Sequence, residues 1–451
     1  MFDVNRLLNC SEPANFDTNQ IQPWNWPHPE PWNLHCPLDE KLDHPRYKTA
    51  IFGDYLSDKT LCMIAEQRDG SGKIYNHYDV HNLYGWSETM ATFPAVRALE
   101  NKRSLIISRS TFPTSGKYSG HWLGDNTAAW SHLKYNIIGM LEFNLFGIPY
   151  VGADICGFLD NRTEQMCQRW MQLGAFNPFF RNHNGIRFAD HDPGSFSSEI
   201  VDSNRRVVET RYELIPYLYT LFHRVHVSGG TVVRSMAHLF PTDPSSWSID
   251  EQFLWGSHLL IAPVIYENHT NKDVYLPAMN GERWFDYYTG REYFILGHIN
   301  VTANYDYLPL FIRGGAILPR QQSAMNTVKA RFNPMNLIIA LDQQRKAKGN
   351  LFWDDGESID TYQNKNYNYF HFSYEKQRLL VQPWSYRYLQ MAHQIKLEHI
   401  TIYGLEKSPT KIQFKGKTLS KTKWNFNSTL NVLSMHHLAL DFSQEHKFTF
   451  A

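Results

Sequence analysis

The chain has 451 residues, of which 42 % are hydrophobic and 20 % charged, and its 44 Lys and Arg balance 44 Asp and Glu. This composition excludes disorder and collagen-like repeats, and it suits roughly two to four domains around a large core. A formal net charge of zero supplies no basic field for nucleic acid. From the N-terminus, residues 1 to about 72 carry little periodicity, and Pro23 to Pro37 reads as an ordered loop dense in Pro and Trp. The pattern turns regular at Lys73. KIYNHYDVHN reads as a strand, and Ser87 to Asn101 as a helix with Ser87 as N-cap. LIISRS is a predicted strand, followed by a Gly-rich loop and a helix from about Thr127 to Phe146. PYVGAD, a helix over TEQMCQRWMQLGAF, the strand PFFRNH and a long helix from Ser197 to Val227 complete the series.

Apolar strands that alternate with helices imply a parallel sheet, because parallel neighbours need crossover connections. Polar clusters follow the strands: His77/Asp79/His81, Arg109, Asp154, and Arg181/His183. At the carboxyl ends of barrel strands, such clusters read as chemistry. Beyond Gly230 the runs are short, β-branched or aromatic, and separated by turn residues, which predicts one or two β-sandwiches. The expected fold class is α/β plus all-β. Four strand–helix units make about half a barrel, and domain boundaries are expected near 228–232 and near 330.

The longest mainly apolar stretch, Ile137 to Ala153, is broken by Glu142, Asn144 and Pro149, so no membrane span is predicted. The five cysteines include no CxxC pair, which leaves zinc-ribbon and thioredoxin-type chemistry without support. Sequons begin at Asn9, Asn161, Asn268, Asn300 and Asn427 and favour a secretory compartment weakly.

The densest constellation is ISRSTFPTSGKYSGHWLGDNTAAW. Arg109 ends a strand there, and a flexible loop delivers Trp122, Gly124 and Asp125. A carboxyl pressed against an indole loses hydration and favours its protonated form, as a general acid needs. The alternative is that Asp125 caps the helix starting near Thr127. Alternation along HYDVH would put His77, Asp79 and His81 on one strand face, as a hydrogen-bonded layer or a metal site. The layer is favoured, because no second ligand cluster with metal spacing accompanies it.

HYDVHNLYGWSE, ISRSTFPTSGKYSGHWLGDN, YVGADICGF, RWMQLGAFNPFFRNHN and RYELIPYLYT strongly resemble glycoside hydrolase family 31, in particular its maltase-glucoamylase, sucrase-isomaltase and lysosomal acid α-glucosidase group. The resemblance runs from about Glu12 to the C-terminus and weakens after about 330. It implies that residues 1–230 form the C-terminal part of a (β/α)8 barrel, 231–330 a proximal β-sandwich and 331–451 a distal one, with retaining hydrolysis of α-glucosidic bonds, an oligosaccharide substrate and no cofactor or metal. By the same resemblance Asp125 is the general acid/base. Arg109 and His183 bind glucose in the −1 subsite, Asp154 is a subsite carboxylate, and Trp122 and Phe158 are aromatic walls. Cys36–Cys62 and Cys156–Cys167 match family disulfides, which leaves Cys10 over. A secretory-pathway location is implied as well.

The departure lies at the start, where the family's nucleophile segment is like W-I-D-M-N-E-P. Here Glu12-Pro13-Ala14-Asn15-Phe16 matches the downstream end of that segment. Without a gap, Asn9 occupies the nucleophile position. With a gap, Asp3 in Phe2-Asp3-Val4-Asn5 is the nucleophile and Arg6 to Ser11 an insertion; this register is favoured. Segments of the family's barrel would precede residue 1, so the expectation is a truncated or splice-variant chain with impaired activity. The competing expectation is a non-catalytic carbohydrate-binding or structural relative.

Overall fold

The computed structural model describes residues 36, 41–49, 54–58, 60–278, 281–389 and 395–451. Asp3, Asn9, Cys10, the Glu12–Phe16 segment and most of the Pro23–Pro37 loop lie outside the described residues. The chain divides into two units, 1–94 with 108–115, and 95–107 with 116–451.

In the first unit, strands β1 (Glu66–Arg68) and β2 (Ile74–Asn76) pair antiparallel. The turn between them is Asp-Gly-Ser-Gly, and the Asp69 carboxylate accepts from the Ser71 and Lys73 N–H groups at 2.8 and 3.1 Å. β1 lies where little structure is predicted, whereas β2 opens the strand expected over KIYNHYDVHN. The strand expected over KIYNHYDVHN stops at Asn76, and His77–Val80 forms the short helix α1. His77 and His81, one helical turn apart, face each other with Nε2 and Nδ1 3.0 Å apart. Thr60 Oγ1 and the Gln67 amide hold the His77 ring at 2.9 and 2.6 Å. The three residues of HYDVH therefore do not share a strand face, and the two imidazoles form a hydrogen-bonded pair. Helix α2 (Tyr84–Glu100) starts earlier than predicted. Ser87 does not cap it; inside its first turn, the hydroxyl donates to the Tyr84 carbonyl at 2.8 Å. Cys36 and Cys62 are bridged with Cα atoms 5.4 Å apart.

The second unit holds the parallel strands. After β3 (Ile107–Ser108), β4 (Gly120–Trp122) pairs in parallel with β5 (Val151–Gly152), and β6 (Asp154–Ile155) pairs in parallel with β7 (Arg181–Asn182). Helices α3 (Trp130–Leu145) and α4 (Glu164–Gly174) make the crossovers. Gly152 has to be glycine, because a Cβ there would meet the Phe179 carbonyl at 2.0 Å. Asn136 of α3 satisfies the break between β5 and β6: its Oδ1 accepts from the Ala153 N–H, and its amide pairs with that of Asn177. The 31-residue helix α5 (Ser198–Ser228) runs to Gly229.

A six-stranded antiparallel sheet comes next, ordered β13 (Glu292–Tyr293), β12 (Trp284–Asp286), β15 (Leu310–Arg313), β10 (Leu259–Ile261), β9 (Phe253–Trp255) and β8 (Val233–Arg234). Alternation decides its two faces. Leu254, Leu260 and Phe311 pack with Val274, Leu276 and Val301 of the pair β11 (Asn271–Leu276) and β14 (Gly297–Thr302). Phe253, Trp255, Leu259, Ile261 and Ile312 instead join the core of α3, α4 and α5. Both faces are thus buried, and the first becomes half of a sandwich. The last and largest sheet is centred on β18 (Ala347–Trp353), β16 (Ala316–Gln321) and β17 (Met335–Ala340), around a separate core that includes Trp353, Phe370 and Phe448.

Helix α5 organises the second unit. Arg211 is buried, and its guanidinium donates to the carbonyls of Ala175, Asn177 and Pro178 at 2.7, 2.7 and 3.0 Å. The Trp255 indole N–H takes the intervening Phe176 carbonyl at 2.8 Å. Four successive carbonyls leading into β7 are satisfied by side chains in this way. Arg211→Met would leave three of them without their donor, at ~1–3 kcal/mol for each buried acceptor that finds no water. The expected loss is ~3–5 kcal/mol, read as a lower urea midpoint. A change under ~1 kcal/mol would show that the segment does not depend on Arg211.

Candidate active site

Asp125, Asp154 and His183 follow or lie within β4, the β5–β6 run and β7, which run in one direction, so they share the carboxyl edge. Asp154 opens β6, and its side chain is fully buried. Arg181, its register partner, brings Nη1 to 3.4 Å from the Asp154 carboxylate.

Asn126 ties the Asp125 loop to this edge. Its side-chain amide donates to the Asp154 carbonyl at 2.9 Å, and its own carbonyl accepts from the Phe158 and Leu159 N–H groups at 2.8 and 2.9 Å. Its Oδ1 also accepts from the Phe158 N–H at 3.1 Å. Gly124 at φ +88° lets the chain turn so that Asn126 points inward. Asp125 is left exposed. The expectation of a carboxyl pressed dry against an indole is corrected accordingly: the turn that directs half-buried Asn126 inward leaves Asp125 in solvent. Asp125 does not cap a helix either, because α3 begins at Trp130 with Ala129 as its N-cap. Trp122 is half-buried, and its indole N–H is buried without a hydrogen-bond partner among the described residues.

The Phe158 ring lies 5.1 Å from that of His183, tilted by 33°. Burial pulls the His183 pKa below its ordinary value and the Arg181 charge adds to this, while the Asp125 carboxylate acts in the opposite direction. A neutral ring can both donate and accept, which suits a hydroxyl-rich ligand. The loop after β6 is pinned by the Cys156–Cys167 bridge, with Cα atoms 4.6 Å apart. Arg109 follows β3 and belongs to the first unit, where it is half-buried. Asp3 is outside the described residues.

Three site-building residues escaped sequence reading. Asn126 follows Asp125 directly, and its only signal is the Gly-Asp-Asn turn. Arg211 sits within RYELIPYLYT, which carries no sign of what it faces. His191 lies in a loop, 3 % exposed, with its backbone carbonyl accepting from the Asn182 amide at 2.8 Å. Among groups of His, Cys, Asp and Glu, none of three or more could hold a metal ion among the described residues.

The chain matches the model of the Glycosyl hydrolases family 31 TIM-barrel domain over residues 6–221 and that of the Glycosyl hydrolase family 31 C-terminal domain over 229–318. It is 43 % identical over 424 residues to the human protein called probable maltase-glucoamylase 2, covering 93 % of this chain and 16 % of that one. Rat lysosomal alpha-glucosidase is 36 % identical over 432 residues, covering 92 % of this chain and 43 % of the relative. A crystal structure of the Tris-bound glucosidase II alpha subunit superposes with a TM-score of 0.78 at 26 % identity, covering 85 % of this chain and 43 % of that one. The chain thus spans less than half the length of each.

Burial, with the Arg162 charge second, pulls the His191 pKa down to about 4. The unfolded chain protonates this ring near 6.5, so below that pH the unfolded state binds a proton that the fold refuses. Stability should therefore fall as the pH drops from about 6.5 to about 4, then level off. Melting temperatures across that window should fall less steeply in His191→Gln; an unchanged slope would clear His191 of the effect.

Proposed function

We infer function from the premise that this chain belongs to glycosyl hydrolase family 31, and we propose that it takes part in retaining hydrolysis of α-glucosidic bonds in maltose and starch-derived oligosaccharides. One observation carries the reading. Asn126 holds an exposed carboxyl, Asp125, at the carboxyl edge of parallel strands, beside the Phe158 and His183 rings. An acid at such a mouth reaches a substrate oxygen and exchanges its proton with water.

In the proposed mechanism Asp125 protonates the departing glycosidic oxygen while Asp3 attacks the anomeric carbon to give a glycosyl ester. Asp125, now a carboxylate, then takes a proton from water as that water cleaves the ester. His183 and Arg109 hydrogen-bond the sugar hydroxyls, Trp122 and Phe158 border the ring, and Asp154, braced by Arg181, completes the subsite. The proposed pair needs carboxyls about 5–5.5 Å apart. Arg6 to Ser11 stand between Asp3 and the Glu12–Phe16 match. We therefore propose low turnover by the 451-residue chain, since a displacement of ~1 Å can lower a rate ~10²-fold.

The proposed domain division is 1–230 for the barrel part, 231–330 and 331–451 for the two β-sandwiches; the change from parallel to antiparallel pairing after Gly229 supports its first boundary. The proposed location is the secretory pathway, supported by two disulfides, which persist in oxidising compartments.

The test uses maltose and an aryl α-glucoside whose leaving group departs without protonation. In a full-length parent carrying these motifs, Asp125→Asn should lower maltose turnover by ~10²–10⁴ and glycosylation by the aryl glucoside far less, while Asp3→Asn should abolish whatever turnover of both the 451-residue chain retains. Equal losses on the two substrates would remove Asp125 from the acid role. Turnover that survives Asp3→Asn would assign the nucleophile elsewhere.

A further inference from the structure

A second carbohydrate-related feature lies away from the Asp125 edge. We propose that Asn300 is an N-glycosylation site whose glycan core rests in the cleft beside it. The cleft has a volume of about 770 Å3, and Ser203, Arg206, Tyr288, Arg291, Tyr293 and Asn300 are among its lining residues. That volume falls among small-molecule sites of ~300–1,000 Å3. Trp122, Asp125, Asp154, Phe158 and His183 do not line it, so glycan seating there is independent of the hydrolytic reading.

Asn300-Val301-Thr302 is an acceptor sequence. Alternation along β14 exposes His298, Asn300 and Thr302 and buries Val301, so the sequon presents its amide and hydroxyl outward. The Nδ2–C1 bond forms as the C1–O bond of a polyprenyl-pyrophosphate oligosaccharide donor breaks, and the amide proton leaves with the pyrophosphate.

The cleft wall suits a sugar. Tyr288 is 42 % exposed, yet its hydroxyl donates to the Leu308 carbonyl at 3.2 Å, so what it offers is the ring face. Arg291 is exposed, and Arg206 shares the Asp306 carboxylate at 3.2 Å, which leaves donors for hydroxyls and an acetamide. The deepest polar group is Ser203, 1 % exposed, whose hydroxyl has no partner among the described residues. A buried hydroxyl without a partner is unusual and calls for a ligand atom or a water.

The full chain is expressed in secretory cells, and glycopeptides are mapped from the cell extract. The Asn300 peptide should be occupied and lost in Asn300→Gln. Native endoglycosidase should release its glycan about tenfold more slowly than the glycan on Asn427, which is exposed at the end of a strand, just before a turn. Tyr293→Ala should erase that protection with occupancy unchanged. An unmodified Asn300 in protein that carries glycan elsewhere, or equal release rates at the two sites, would overturn the proposal. So would binding of maltotriose by Asn300→Gln that Tyr293→Ala abolishes, since the cleft would then serve free oligosaccharide.

Discussion

A buried guanidinium with carbonyls for partners sets the frame on which the second unit is arranged. Arg211 lies on α5, nearly thirty residues past β7, and it fixes the segment that delivers β7. Burial lowers its pKa to about 10, so the charge persists at neutral pH and every carbonyl bond is charge-assisted. Phe180 and Trp255 lie against its flat faces, with the guanidinium carbon 4.9 and 5.9 Å from the ring centres. Lysine has neither the fork nor the plane for this arrangement. Through β7 the constraint reaches Arg181, and through Arg181 the buried carboxylate of Asp154. Arg169 of α4 repeats the device outward, donating to the carbonyls of Ala303 and His269 at 2.7 and 3.0 Å. Helices and β-sandwich loops are therefore joined through main-chain oxygens, which remain whatever side chain a loop carries.

Much of this was legible in the sequence. The helices α3, α4 and α5 carry long periodic signals, and their predicted positions agree within a few residues. The cysteine pairs came from family motifs and are bridged. Failures fall where local chemistry competes with periodicity. His77, Asp79 and His81 alternate like a strand, but two imidazoles one helical turn apart satisfy each other better as α1. Strand β1 went unread because it is three residues long and wholly polar.

At the candidate site, residue identity was readable but orientation was not. Asp125 stood out as a carboxyl beside Trp122 and Gly124, which says nothing about which neighbour turns inward. Asn126 does, because its amide can donate to one carbonyl while its oxygen accepts from an N–H, the partners being Asp154 at the start of β6 and Phe158 just past it. An aspartate cannot donate in this way when ionised. The inward turn of the half-buried amide and the exposure of the acid are thus one decision, made by the difference between two adjacent side chains.

Asp354, at the end of β18, has its own consequence. Its buried carboxylate accepts from Arg103 at 2.8 Å, Tyr219 at 2.7 Å and Thr361 at 2.6 Å. Arg103 also gives its N–H to the Glu357 carbonyl at 2.7 Å. Arg103 and Asp354 are 251 residues apart. A ribosome adding ~5–20 residues per second needs roughly 10–50 s to cover that interval. Throughout it, the approach to β3 has emerged without the carboxylate that anchors it. The segment before β3 therefore gains this anchor only once the last sheet has begun to emerge, so its final fixing is a late event of synthesis.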